Sequence, residues 1–335
     1  MSDATGDPQR PLVSVRDLKV QFAVAGGRQV VRAVDGVSFD IHRGETLSLV
    51  GESGSGKTTV GQALLGVVPI AEGEMRIGDV SLPARTAADR RRLRRSAQMI
   101  FQDPYSSLNP RMRVGDIIAE PLRANGIGAT RGERQKRVAE LLGLVGLPAD
   151  AADLLPHEFS GGQRQRIGIA RAIATEPDFI ICDEPVSALD VSIQAQIVNL
   201  LGGLQKRLHL TYLFIAHDLA VVRYVSSRIA VMYLGKIVEI GTRDEVIRNP
   251  SHPYTQALLA AVPGIDPARE ATRQGVMLGG EIPSPINPPS GCAFHPRCPL
   301  AEARCSREVP RPHRLSATHQ AACHLLADAS EPSKG

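Results

Sequence analysis

The chain has 335 residues, 43% hydrophobic and 22% charged, with a formal net charge of +4. This is an ordinary globular mix, long enough for one large domain or one domain with an extension. Aromatic residues make up only 4% and Trp is absent, so the core must come from Val, Ile, Leu and Ala, which suits a parallel sheet flanked by helices better than an all-β fold. The mild charge comes without an aromatic and basic platform and gives no support to nucleic-acid binding. No apolar run approaches the roughly 20 residues that span a bilayer. Residues 1–11 are polar and lack the apolar stretch of a signal peptide. The expectation is a cytoplasmic chain whose five cysteines form no structural disulfides.

Residues 12–22 alternate as a strand, and 37–41 and 46–50 read as two more. The last of these runs into a glycine-rich loop, after which 57–66 turns helical. The basic run Arg90, Arg91, Arg92, Arg94 and Arg95 reads as a solvated helix face, with contact to acidic headgroups or a membrane partner as the sharper reading. Residues 97–101 form a short apolar strand. Helical periodicity then fills 114–125, 131–145 and 162–175. Strand-like runs return at 179–182 and 212–216, around a helical stretch at 192–208. This order predicts an α/β fold with a parallel sheet and a helical insertion. Beyond residue 248 Pro, Gly, Cys and His crowd the chain with little periodicity, so residues 249–335 read as an extension tied down by something other than a large core.

Residues 51–58, Gly-Glu-Ser-Gly-Ser-Gly-Lys-Thr, fit G-x-x-x-x-G-K-[ST] between a predicted strand and a predicted helix. Glycines let successive N–H groups curl around a phosphate, and the helix N-terminus adds partial positive charge. Gly51, Ser53, Gly54, Ser55, Gly56, Lys57, Thr58 and Thr59 are therefore nucleotide-binding candidates. Lys57 is expected to reach the β- and γ-phosphates and Thr58 to ligate Mg²⁺. Downstream, four apolar residues end in Asp183-Glu184, at the strand edge where open α/β sheets bind ligands. Asp183 is expected to hold Mg²⁺ through water and Glu184 to act as general base. Cys182 reads as a small buried hydrophobe.

Phe159 is followed by Ser160-Gly161-Gly162-Gln163. This segment resembles the signature of the ABC ATPase family, usually Leu-Ser-Gly-Gly-Gln. Other family elements follow the same order: Gln102 after an apolar strand, Ser187-Ala-Leu-Asp190 after the acidic pair, and His217 at the end of the next strand. The resemblance implies a P-loop NTPase core using ATP and Mg²⁺. Residues 160–163 would then complete the ATP site of a second, related or identical ATPase subunit. It also implies that Gln102 contacts Mg²⁺ or water, that Asp190 crosses the dimer interface, and that His217 contacts the γ-phosphate. The adenine-stacking aromatic of many members is not evident, and Arg28 or Phe22 stands near its position.

Residues 101–110, Phe-Gln-Asp-Pro-Tyr-Ser-Ser-Leu-Asn-Pro, closely resemble the ATP-binding subunits of oligopeptide and dipeptide importers. So do His252-Pro-Tyr-Thr-Gln-Ala-Leu-Leu, Gly279-Gly-Glu-Ile-Pro-Ser-Pro and Pro288-Pro-Ser-Gly-Cys292. The resemblance covers about residues 12–325. It implies peptide import through two transmembrane permease subunits, an extracytoplasmic solute-binding protein, and a place at the cytoplasmic face of the membrane. Nickel complexes, glutathione and opines are alternative cargoes. Soluble ABC ATPases of ribosomes or DNA commonly carry two cassettes, whereas this chain has one. The resemblance divides the chain into a flexible N-terminus (1–11), an ABC ATPase domain (12–248, helical subdomain about 103–177) and a Cys/Pro-rich extension (249–335). For Cys292, Cys298, Cys305 and Cys323 it implies a 4Fe-4S cluster. Four thiolates suit that cluster or zinc, nearby histidines keep mixed ligation open, and free thiols are the plain alternative. Nothing in the sequence puts this group near the nucleotide loop, so the expectation for it is structural.

Overall fold

The computed structural model describes residues 10–24, 26, 28–261 and 279–326. Most of the expected N-terminal arm, and residues 262–278 and 327–335 of the extension, lie outside that set. In chain order the elements are β1 (Val13–Val24), β2 (Gln29–Ile41), β3 (Thr46–Val50), α1 (Lys57–Leu64), β4 (Glu72–Ile77), β5 (Val80–Leu82), α2 (Ala87–Ser96) and β6 (Ala97–Ile100). Then come α3 (Val114–Ala124), α4 (Arg131–Leu144), α5 (Gly161–Ile173), β7 (Phe179–Asp183), α6 (Val191–Leu208), β8 (Thr211–Ala216) and α7 (Leu219–Val225). The chain continues through β9 (Arg228–Tyr233), β10 (Lys236–Thr242), α8 (Arg243–Arg248), α9 (Pro253–Ala260), β11 (His313–Arg314) and β12 (Gln320–Ala321).

The chain separates into two units. The first holds Met1–Val13, Asp40–Glu45 and Arg76–Ile215; the second holds Ser14–Phe39, Thr46–Met75 and Ala216–Gly335. In the first, β6, β7 and β8 run parallel, with Ile100 opposite Cys182 and Asp183 opposite Ile215. β7 is buried at all five positions, as a strand covered on both faces must be. Its register brings the C-terminal ends of β6 and β7 side by side. Helices α3, α4 and α5 pack on one another through Ile117, Leu122, Val138, Leu141 and Ile167, all buried. α4 starts with a capping box from Thr130 and Glu133, which satisfies two otherwise orphaned N–H groups. The Arg run lies on α2, where Arg90, Arg91, Arg92, Arg94 and Arg95 are all exposed and only Leu93 turns inward. Exposure of this face is compatible with solvent and with contact to a membrane partner.

In the second unit β3 pairs in parallel with β9, and β9 pairs antiparallel with β10. β10 then takes β12 of the extension as its next antiparallel neighbour, with Glu239 opposite Ala321, and β11 pairs with β12. β1 lies between β2 and β4. The strand expected at 37–41 is the more buried end of the longer β2, whose earlier residues other than Val34 are exposed or half-buried. The extension is anchored by an aromatic cluster that it shares with β9. Phe294 is 1% exposed and packs edge-on against Tyr233 at 5.3 Å and against Tyr254 at 5.3 Å between ring centroids. Tyr233 and Tyr254 stand 4.7 Å apart. Few apolar residues hold this segment because they are large aromatics, each burying much area.

Candidate functional site

In the second unit the glycine-rich loop leaves the end of β3 and enters α1. Gly56 is the N-cap of α1 at φ 100°, and a Cβ there would lie 2.1 Å from the Ala33 carbonyl oxygen. A Cβ on Gly51, at φ 156°, would lie 2.1 Å from the Met232 carbonyl oxygen. Glycine is required at both positions by close backbone approach as well as by conformation. The Ser55 N–H donates to the Glu52 carbonyl at 3.2 Å, and the Ser55 carbonyl accepts from the Gly235 N–H at 3.0 Å. Lys57 is buried and its Nζ donates to the carbonyls of Gly51 and Glu52 at 2.8 Å each. Ser53 and Gly54 are exposed, while Thr58 and Thr59 are half-buried in the first turn of α1. N–H groups at a helix start thus sit beside a buried ammonium, an arrangement suited to a phosphate chain. His217, just past β8 in the same unit, is exposed.

In the first unit Asp183 ends β7 and is 5% exposed. Glu184 follows at φ 44°, a left-handed conformation that is costly for a non-glycine residue. Its N–H donates to the Ile215 carbonyl at 2.9 Å, and its carbonyl accepts from the Ser187 N–H and hydroxyl at 3.2 and 3.0 Å. These bonds hold the strained turn. Gln102, from the end of neighbouring β6, donates its Nε2 to the Glu184 carboxylate at 3.0 Å. The parallel register of β6 and β7 thereby brings together Gln102, Asp183 and Glu184, 82 residues apart at its widest. Cys182 behind them is fully buried, and burial, with the neighbouring Asp183 charge, pushes its thiol far up.

Ser160 caps α5 in a capping box with Gln163. Both are exposed, with Gly161 and Gly162 half-buried. A Cβ on Gly162 would meet Ile193 at 2.6 Å, so this glycine lets α6 approach. Asp190, the N-cap of α6, is exposed, and the next residue, Val191, is 81% exposed.

Two links were not legible in the sequence. The Arg164 guanidinium lies 3.9 Å from the centroid of the Tyr105 ring, and Arg171 donates to the Ser107 carbonyl at 2.6 Å. They fasten the 101–110 segment onto α5. The signal was present as two arginines on an amphipathic helix beside a Tyr-bearing loop, but charge on a helix usually faces solvent. The second link joins Glu52 of the glycine-rich loop to Arg297 of the extension, 245 residues away. No local pattern encodes such a contact.

The four tail cysteines share one neighbourhood. Burial pushes the Cys292 thiol up to about 11, and the Cys305, Cys323 and Cys298 thiols add to the rise. Burial also raises Cys298 and Cys323, each further raised by Cys305. The backbone joins two of them, the Cys292 N–H donating to the Cys305 carbonyl at 2.8 Å. Among the described residues, however, no three His, Cys, Asp or Glu side chains stand as a metal-holding group. The donor types fit a cluster or zinc, and the geometry does not yet form either site. Of the nearby histidines, His319 is committed elsewhere, with Nε2 2.8 Å from the Glu239 carboxylate. Among the described residues no helix is long and apolar enough to cross a membrane.

The chain is similar to known proteins over nearly its full length. Residues 34–187 match the ABC transporter family, and residues 238–305 match the oligopeptide/dipeptide transporter C-terminal region. An oligopeptide transport ATP-binding protein of Bacillus subtilis is 50% identical over 324 residues, covering 97% of this chain and 98% of that one. A peptide import ATP-binding protein of Brucella abortus is 55% identical over 312 residues, covering 93% and 92%. Among solved structures, a dimeric ATP-binding cassette in a post-hydrolysis state with ADP and Pi superposes with TM-score 0.63 at 29% identity, covering 69% of this chain and 98% of that one. A member of the ABC transporter complex cbiONQ from Clostridium perfringens gives 0.62 at 27% identity, covering 71% and 91%. Sequence and fold agree on one assignment: the chain belongs to the ABC transporter ATP-binding proteins, in the group that carries the oligopeptide/dipeptide transporter C-terminal region.

Proposed function

We propose that the chain is the ATP-hydrolysing subunit of a peptide importer, acting at the cytoplasmic face of the cell membrane on two transmembrane permease subunits supplied as separate chains. The observation that carries this reading is the joint presence, in one chain, of the ABC transporter match and the oligopeptide/dipeptide C-terminal match. Residues 12–248 serve as the ATPase domain, with a helical part at about 103–177, and 249–335 as the importer-type extension. The N–H groups of residues 51–59 hold the phosphates, and the Lys57 ammonium neutralises the β- and γ-phosphates. Mg²⁺, when bound with ATP, screens charge on the phosphate oxygens. Thr58, Asp183 and Gln102 offer the hard oxygen donors it prefers. Water attacks the γ-phosphorus, the bond to the bridging oxygen of ADP breaks, and Glu184 takes the proton of the water. Gln102 orients the Glu184 carboxylate, and His217 contacts the γ-phosphate.

The exposure of Ser160, Gln163, Asp190 and Val191 supports a working unit of two ATPase subunits. In it residues 160–163 meet the nucleotide of the partner and Asp190 lies at their junction. A solute-binding protein outside the membrane would deliver the peptide. Four cysteines of one neighbourhood support a 4Fe-4S cluster, with zinc as the alternative. Its role would be to hold the extension, and no step of hydrolysis passes through it. Anaerobically purified protein should then carry about four irons per chain with acid-labile sulfide; zinc alone selects the alternative, and no metal removes both.

The test of the transport assignment is recovery of the tagged chain from gently solubilised membranes. Co-purification of two polytopic membrane proteins, with ATP hydrolysis that rises when peptide-loaded binding protein is added, is the expected result. Recovery with ribosomal or DNA-bound proteins alone would reject it.

A further inference from the structure

Arg297 belongs to the short turn His295–Arg297, one residue before Cys298. Its two terminal nitrogens donate to the two Glu52 carboxylate oxygens, at 2.7 and 3.0 Å. The Arg297 side chain is 4% exposed and that of Glu52 22%. The guanidinium is itself held in place. Nε donates to the Gly279 carbonyl at 3.1 Å, and the carbon at its centre stands 5.8 Å from the centroid of the Tyr233 ring. The backbone of Glu52 is held as well. Its N–H donates to the Tyr254 hydroxyl at 3.0 Å, and its carbonyl accepts from Lys57 Nζ. Every polar group of Glu52 therefore has a partner, and two of these partners, Arg297 and Tyr254, come from beyond residue 250.

A bidentate Arg–carboxylate pair fixes the plane of both groups, and lysine cannot reproduce that fork. A loop already ordered before its ligand arrives loses less freedom on binding and so binds more tightly. We propose that Arg297 is a positioning residue for the nucleotide loop: by clamping the Glu52 carboxylate it holds the Glu52 carbonyl that orients Lys57, so that the C-terminal extension sets the affinity of the loop for a nucleoside triphosphate. The proposal rests on the reading of residues 51–58 as that loop. It makes the extension part of the nucleotide machinery in addition to a folded appendage.

The test is a titration of the full chain with a fluorescent ATP analogue, with a thermal melt of each variant. Arg297→Ala should weaken binding about tenfold in protein that still melts cooperatively, and Arg297→Lys should recover only part of the loss. Glu52→Gln should also weaken binding, by about threefold or more, and the double variant should be no worse than Arg297→Ala alone. A purely electrostatic effect has the opposite sign for Glu52→Gln, because removing a carboxylate beside a phosphate site would tighten binding. Unchanged affinity in Arg297→Ala, tighter binding in Glu52→Gln, or additive losses in the double variant overturn the proposal. If Arg297→Ala does not fold, Glu52→Gln decides alone. Lys57→Ala is the separate control: loss of binding there upholds the loop assignment whatever Arg297 does, and unchanged binding removes that assignment itself.

Discussion

The glycine-rich loop at residues 51–58 and the cysteine-bearing segment at 292–323 are both irregular and both belong to the second unit, yet they hold their shapes by opposite means. The loop is dictated largely by what its backbone must avoid. Gly51 and Gly56 sit where any side chain would strike a carbonyl oxygen, and its internal bonds span only a few residues, from Ser55 to Glu52 and from Lys57 to Gly51. The tail segment is dictated by side chains reaching far along the chain. Phe294 packs on Tyr233 and Tyr254, His319 meets buried Glu239, and Ser316 and Thr318 donate to Glu245 at 2.6 and 2.9 Å. A shape that demands glycine at fixed spacing leaves a short motif, even though the carbonyls it avoids, those of Met232 and Ala33, are distant in sequence. A shape set by distant partners leaves only scattered polar and aromatic residues.

Variants can break this comparison from either side. The largest effect lies outside both regions and calibrates them. Glu184→Gln should slow phosphate release by about 10² to 10⁴ while nucleotide still binds; turnover at the parent rate would take the base role from Glu184. In the loop, Gly56→Ala forces the backbone away from Ala33, and misplacement of about 1 Å costs about 100-fold in turnover. Equal activity in that variant would show that the loop tolerates the shift. In the tail, Phe294→Ala should cost about 3–5 kcal/mol, read as a lowered melting temperature and faster proteolysis beyond residue 279. An unchanged melt would mean that the aromatic cluster does not anchor the extension.

Two smaller effects concern pH. Burial lowers the His252 pKa to about 4, below the ordinary value of about 6.5. The folded protein therefore binds fewer protons than the unfolded chain between these values. Its contribution to stability is complete above pH 6.5 and is lost as pH falls toward 4. Nδ1 of His252 accepts from the Tyr254 N–H at 3.0 Å to cap α9, and Asn can supply the same cap. His252→Asn should keep helix α9 and flatten the melting temperature between pH 7 and 4; an unaltered slope would place the titration elsewhere. Burial pushes the Glu245 carboxyl up, but hydrogen bonds from Ser316, Thr242 and Thr318 outweigh it and hold the group at about 2. Its stabilisation is present above the ordinary carboxyl value of about 4.5 and disappears as pH falls toward 2. The group lies near the surface, so Glu245→Gln should cost no more than about 1 kcal/mol at neutral pH. A loss larger than that of Phe294→Ala would mean that the clip to residues 316–318 carries more of the tail than the aromatic cluster does.

The boundary between what was legible and what was not follows the range of the forces involved. From the sequence alone came β3 over its own five residues, a buried run ended by a glycine loop, and α3, α4, α5 and α6 to within two residues at either end. Each of these carries its own periodicity and, in several cases, its own cap. The glycine loop and the acidic pair were equally plain, because their residue types are demanded at fixed spacing. Only the tertiary structure decided that Gln102 reaches Glu184, since this depends on the register of two parallel strands. It alone decided that a two-residue strand, β12, extends the sheet at β10, too short for any pattern to announce. It also decided that Arg297 grips Glu52. An isolated arginine in a Pro-rich stretch is ordinarily solvated, and only the fold supplies the half-buried carboxylate that makes its charge worth enclosing.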